Sequence, residues 1–265
     1  MTMLLQPSGI ETAAKILREG GTVAFPTETV YGLGANALDG AAVAKIFAAK
    51  GRPSWDPLIV HVGDREMLER VAVVTAQAER LIGAFWPGPL TLLLERTKEV
   101  RDAVTAGRPL VGVRMPSHPL ALALIRAAGV PVGAPSANRF GHTSPTTAVH
   151  VLEDLDGRID AVLDGGPTAV GVESTVLDPA QEGGQEPMLI YRPGAVTLEM
   201  IEAVAGAARV FRSAVAGDEN SSAPPSAMPS PGVGIRHYAP RAKLILVDGA
   251  AELSTKAEEL SRGGE

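Results

Sequence analysis

Short apolar runs and amphipathic stretches alternate through most of the chain. Gly21 to Pro26 places Val, Ala and Phe in a row before a proline and predicts a short buried strand. Ala41 to Ala49 repeats apolar residues at helical spacing, with Val43, Ile46 and Phe47 on one side. Leu58 to Val62 is a β-branched run after Pro57 and predicts a strand. Met67 to Phe85 reads as one helix stopped by Trp86-Pro87-Gly88-Pro89. Leu90 to Leu94 and Leu110 to Val113 predict strands, and Pro119 to Ala128 a helix closed by Gly129. Val130 to Val132 is a short strand leading into Ala134-Pro135-Ser136. Ala148 to Leu155 and Leu198 to Ala205 predict helices, and Ala161 to Leu163 and Ser174 to Leu177 strands. Alternating strands and helices of this kind define an α/β domain over residues 1–208.

The pattern then stops. Ser213 to Pro231 has almost no large apolar residue and reads as an extended linker. Lys243 to Val247 predicts a strand and Ala251 to Leu260 a helix. One strand and one helix cannot bury a core alone. They are either the opening unit of a second domain or a C-terminal unit packed on the first.

Composition narrows the classes. Of the 265 residues, 45% are hydrophobic and 20% charged, enough apolar residues for a sizeable core. Lys and Arg total 24 against 30 Asp and Glu, a net charge of -6 that argues against an overall basic coat for nucleic acid. The absence of cysteine excludes disulfide frameworks, cysteine nucleophiles and thiolate metal sites. Met1 to Arg18 lacks the apolar core of a secretory leader, and no run approaches a membrane span, so a cytoplasmic protein is expected.

No Walker A sequence, complete Gly-x-Gly-x-x-Gly, His-Glu-x-x-His or Gly-x-Ser-x-Gly is present. What remains is polar chemistry at strand ends, where open α/β sheets bind ligands. Pro26-Thr27-Glu28-Thr29-Val30-Tyr31-Gly32-Leu33-Gly34 follows a buried strand; it is a ligand loop or a capped turn. Lys50-Gly51-Arg52 closes a helix, either gripping phosphates or complementing the helix dipole, and Asp56 and His61 follow. Arg114 ends an apolar strand, and a buried arginine needs an anionic partner such as a carboxylate. Ser136, Asn138 and Ser144 follow another strand, and Glu173-Ser174-Thr175 and Tyr191-Arg192-Pro193-Gly194 come later. The set suits an anionic ligand beside a small polar one, with catalysis by positioning and charge.

Taken in order, Pro-Thr-Glu-Thr-Val-Tyr-Gly-Leu-Gly, Lys50-x-Arg52-Pro53, Pro57 to His61, Val113 to Pro116, Ser136-x-Asn138 and Glu173 to Val176 resemble the Sua5/YrdC/YciO family from about Gly20 to Gly194. The resemblance implies a twisted mixed β-sheet with flanking helices and a concave basic cavity. It implies a threonylcarbamoyl-AMP synthase, a nucleotidyltransferase condensing L-threonine, bicarbonate and ATP, with pyrophosphate released. The product would pass to transferases that make t6A on tRNA, and direct RNA contact is a further implication. Carried over by position, Lys50 and Arg52 are catalytic. Lys50, Arg52, Asp56, Leu110, Ser136, Asn138, Ser144, Arg192, His237 and Tyr238 bind ATP. Thr29, His61, Arg114, Ala134 and Ser174 bind threonine. Mg2+ would be bridged by ATP phosphates, without a protein side chain assigned to it. Ser230 to Pro240 is similar to the linker of the longer Sua5 form. It makes residues 209–240 a lid and 241–265 the start of a truncated C-terminal domain. Departures are Asp56, where the family commonly has Asn, and Gly234 and Ile235, where Lys or Arg and Tyr are common. A double-stranded RNA-binding module using Lys45, Lys50 and Arg52, and a carbamoyl-transfer enzyme, are the competing readings.

Overall fold

The computed structural model describes residues 1–179, 187–211 and 245–263. Its strands are β1 (Met3–Leu5), β2 (Val23–Pro26), β3 (Tyr31–Asn36), β4 (Ile59–His61), β5 (Leu90–Glu95), β6 (Leu110–Arg114), β7 (Val132–Gly133), β8 (Ala161–Leu163), β9 (Thr175–Asp178), β10 (Met188–Arg192) and β11 (Ala208–Val210). They form an 11-stranded sheet in the order β1-β8-β2-β3-β7-β4-β6-β5-β9-β10-β11. Pairing is mixed: β4 and β6 run parallel, as do β5 and β9, whereas β2–β3, β3–β7 and β5–β6 are antiparallel.

The flanking helices are α1 (Ile10–Arg18), α2 (Gly40–Lys50), α3 (Arg65–Val71), α4 (Ala76–Phe85), α5 (Asp102–Thr105), α6 (Pro119–Ala128), α7 (Ala148–Leu155), α8 (Leu198–Ala205) and α9 (Ala250–Gly263). Their starts are set by side chains that accept orphan backbone N–H groups: Asp39 before α2, Thr75 before α4, Thr147 before α7 and Thr197 before α8. The core lies between sheet and helices around Phe25, Tyr31, Leu33, Ile46, Leu92 and Leu124, all fully buried.

Three expectations change. The stretch Met67 to Phe85 is two helices, because Thr75 accepts the N–H of Ala78 and starts a new one, while Ala72 bridges to Arg96. The Gly-rich motif after β2 is strand β3, the second arm of a hairpin, whose turn closes with Thr27 N–H donating to Val30 O at 3.2 Å. Residues 245–247 carry no strand; the rest of the expected strand, and the linker with His237 and Tyr238, lie outside the described residues. Elements β1, α1, β10 and β11 are additions to the sequence pattern.

Candidate active site

Pairing of β4 with β6 puts His61 directly beside Arg114. The bridge between Gly32 and Ser136 brings the hairpin to the loop after β7, and β9 joins through Leu90 and Thr175. A cavity opens where these segments meet. Thr29, His61, Arg114, Ala134 and Ser174 line it, which brings together every expected threonine ligand. Of the expected nucleotide ligands, Arg52, Ser136 and Arg192 line it as well.

Each cavity arginine is matched with an acid. Arg114 donates from Nη1 to Thr29 Oγ1 at 3.0 Å and from Nε to Gly88 O at 3.2 Å. Its Nη2 lies 2.7 Å from Glu28 Oε1, an ion contact in which neither carboxylate oxygen nor Nη2 completes a hydrogen bond. Arg52 pairs with Asp56 at 3.0 Å, both side chains at 3% exposure or less, and donates to the carbonyls of Asp56 and Pro57. Arg192 stands 3.5 Å from Glu173 and donates to the Ser174 carbonyl and hydroxyl. The Ser174 hydroxyl also meets Thr91 Oγ1 at 2.8 Å, so the β9 and β5 ends are tied through it.

Other expected ligands stand back from the cavity. Lys50 is buried at the end of α2 and its Nζ donates to the carbonyls of Ser136 and Asn138, so it holds the Ser136–Asn138 loop. Burial, and then the neighbouring Arg52 charge, push Lys50 down to about 7. Asn138 donates to the carbonyls of Arg139 and His142 and fixes the same loop. Asp56 is turned toward Arg52, which supplies the charge that compensates it. Ser144 reaches the cavity only through Glu173, to which it donates at 2.7 Å. Leu110 sits at the opposite end of β6 from Arg114, in an apolar patch with Ile59, Leu93, Val176 and Tyr191; Ile59 connects that patch to the cavity. Glu28 and Glu173 were not assigned from sequence. Both sit within quoted motifs, but an acid is recognised as a counter-ion only when its distant arginine is placed.

His61 faces the cavity, and its buried Nδ1 has no hydrogen-bond partner among the described residues. Burial, reinforced by the Arg114 charge, pushes its imidazole down to about 3. It is therefore neutral at physiological pH. Unfolding returns it to its ordinary value of 6.5, so the unfolded chain binds the extra proton as pH falls below 6.5. Stability should fall as pH drops from about 6.5 toward 3, and His61→Gln should flatten that part of the curve, read as urea midpoints across the range.

Fold and site together define an α/β enzyme scaffold whose cavity is lined by arginine, hydroxyl and carboxylate groups. Among the described residues no group of three or more His, Cys, Asp or Glu is placed to hold a metal ion. The chain belongs to the Sua5/YciO/YrdC family: the family model described as "Telomere recombination" matches residues 15–194. A second model, "Threonylcarbamoyl-AMP synthase, C-terminal domain", matches residues 196–264. The threonylcarbamoyl-AMP synthase of Bacillus subtilis is 50% identical over 258 residues, covering 96% of this chain and 71% of that protein. That of Pyrococcus abyssi is 49% identical over 253 residues, covering 95% of this chain and 72% of the relative. The crystal structure of P. abyssi Sua5 complexed with L-threonine superposes with a TM-score of 0.85 at 45% identity, covering 98% of this chain and 75% of that one. E. coli YciO, at 24% identity and a TM-score of 0.65 over 76% of this chain and 100% of that one, shares the fold.

Proposed function

We propose that the chain is an L-threonylcarbamoyladenylate synthase and a nucleotidyltransferase. The observation that carries this is the cavity: the expected threonine ligands converge at Arg114, and Arg52 and Arg192 stand in the same cavity for phosphates. Both reacting partners are anionic, so cations on two sides are what the reaction needs. Arg114 takes the threonine carboxylate, with Thr29, His61, Ala134 and Ser174 around the side chain and amine. The amine, once its ammonium has lost a proton to solvent, attacks CO2 with release of a further proton, or bicarbonate with loss of water, to give a carbamate. A carbamate oxygen then attacks the α-phosphorus of ATP, and pyrophosphate leaves toward Arg52 and Arg192. Ser136 and the amides of the loop held by Lys50 and Asn138 line the phosphate path, and the apolar patch at Leu110 and Ile59 accepts the base.

Among the described residues a single carboxylate, Glu173, lines the cavity. That donor set fits a magnesium ion held mainly by phosphate oxygens, with Glu173 contributing from the chain. Magnesium there would neutralise charge on the phosphates. We assign residues 1–208 to catalysis and 241–265 to a C-terminal unit; His237 and Tyr238 lie outside the described residues. Among the described residues no helix is long and apolar enough to cross a membrane. A cytoplasmic enzyme passing its product to tRNA-modifying transferases is the setting this chemistry suits.

The purified chain should release pyrophosphate from ATP only with threonine and bicarbonate both present, and mass spectrometry should detect threonylcarbamoyl-adenylate. Arg52→Ala should lower turnover about 10²-fold, as expected when one charge-stabilising group is lost. Turnover without threonine, or an Arg52→Ala rate equal to wild type, would contradict the reading.

A further inference from the structure

Glu28 differs from the other acids of the site. Glu173 accepts the Ser144 hydroxyl and faces the cavity. Glu28 is 7% exposed, and both of its carboxylate oxygens are buried without a hydrogen-bond partner among the described residues. Its backbone is pinned on the turn of the β2–β3 hairpin, since Val170 N–H donates to Glu28 O at 2.9 Å and Gly171 N–H to Thr29 O at 3.0 Å. The side chain is thereby held against Arg114 Nη2, also buried and without a hydrogen-bond partner. Buried polar atoms left without hydrogen bonds are costly and rare, and those that persist call for a functional account.

We propose that Glu28 is a positioning and specificity-determining residue of the amino-acid site, neutralising Arg114 from behind so that the site selects a zwitterion over a simple anion. The inference rests on the reading of Arg114 as the carboxylate ligand. The physical reason lies in range. Hydrogen bonds from Arg114 to a ligand carboxylate act at contact and survive the presence of Glu28. The long-range field of the arginine is largely cancelled by an opposite charge 2.7 Å away. A ligand carrying only a carboxylate therefore gains little from the field. A ligand with an ammonium group one carbon from its carboxylate escapes the repulsion that a bare arginine would exert. The contacts with Thr29 and Glu28 also restrict the orientation of the Arg114 guanidinium, so Glu28 orients as well as neutralises.

The test compares L-threonine with 3-hydroxybutyrate, which is threonine without its amino group, by calorimetric titration of the full chain. Wild type should bind threonine at least about tenfold more tightly, one decade being a modest share of what charge mismatch costs. Glu28→Gln should shrink that preference about tenfold. It should leave the KM for ATP unchanged. Glu28→Asp, which keeps the charge, should retain the preference. Equal or tighter binding of 3-hydroxybutyrate by wild type overturns the proposal. So does an unchanged preference in Glu28→Gln, including the case in which both ligands weaken alike, and so does equal loss in the Asp and Gln variants. If Glu28→Gln does not fold, wild type and Glu28→Asp decide. Wild-type turnover with an unchanged preference in Glu28→Gln would defeat this inference and leave the synthase reading intact. Selective threonine binding without turnover would do the reverse.

Discussion

Arg114→Ala should abolish threonine-dependent pyrophosphate release and destabilise the fold in the same stroke. The side chain is 4% exposed and joins two separate segments: the hairpin, through Thr29 and Glu28, and Gly88 before β5. Its removal takes away the arginine in register with His61 and leaves Glu28 as a buried carboxylate without an ion-pair partner among the described residues. Stranding one member of a buried pair costs about 3–5 kcal/mol, a large part of a typical domain stability of ~5–15 kcal/mol. The double variant Arg114→Ala/Glu28→Gln separates the two effects. Replacing the stranded charge by a neutral amide should recover most of the lost stability, because the two sites are coupled, and should recover no activity. Urea unfolding reads the first outcome and pyrophosphate release the second. Equal stability of the single and double variants would show that the pair is not coupled. Wild-type threonine affinity in Arg114→Ala would remove the carboxylate from that position.

The same residues explain what the sequence makes legible. Helices α6, α7 and α8 are visible because cap, apolar face and stop signal lie within one short window, as with His118, Leu124 and Gly129 around α6. The interruption between α3 and α4 is not, since Thr75 is a cap only once the chain turns there. Strand β3 is masked by Gly32 and Gly34. The reason for glycine is tertiary: a Cβ at Gly34 would come within 2.7 Å of both Phe25 and Val132. Strand β1 is short and half exposed, and its pairing with β8 is long-range. At the site, the cations and hydroxyls are readable from their places at strand ends. Their counter-ions are not, because Glu28, Asp56 and Glu173 acquire meaning only from arginines brought to them by the sheet. The expected basic cavity is accordingly a cavity of charge pairs, with Arg52, Arg114 and Arg192 each facing an acid. That agrees with a net charge of -6 better than an uncompensated basic pocket does.

Gly194→Ala carries the other large effect, through packing rather than charge. A Cβ at Gly194 would lie 2.4 Å from Glu173 O, 2.5 Å from Thr175 N and 2.6 Å from Ser174 C. All three are backbone atoms of the segment that presents Glu173 and Ser174 to the cavity, so no side chain can swing aside to make room. That segment is itself held: Thr175 N–H donates to Pro89 O at 3.0 Å, and the Thr175 hydroxyl donates to Val196 O at 2.6 Å. The added methyl must therefore push residues 193–195 away from the Glu173–Thr175 segment. Arg192 would be displaced from the Ser174 oxygens it donates to, at 3.0 and 2.9 Å. Overpacking of this kind costs about 1–3 kcal/mol. A shift near 1 Å in a positioning group lowers turnover about 10²-fold. Gly83→Ala is the matched control: it lies in α4, a Cβ there meets nothing within 4 Å, and helix propensity favours the change. It should leave pyrophosphate release unchanged while Gly194→Ala reduces it. Wild-type turnover in Gly194→Ala would mean that the Arg192 and Ser174 segments tolerate separation, and that their contact does not set the geometry of the phosphate side.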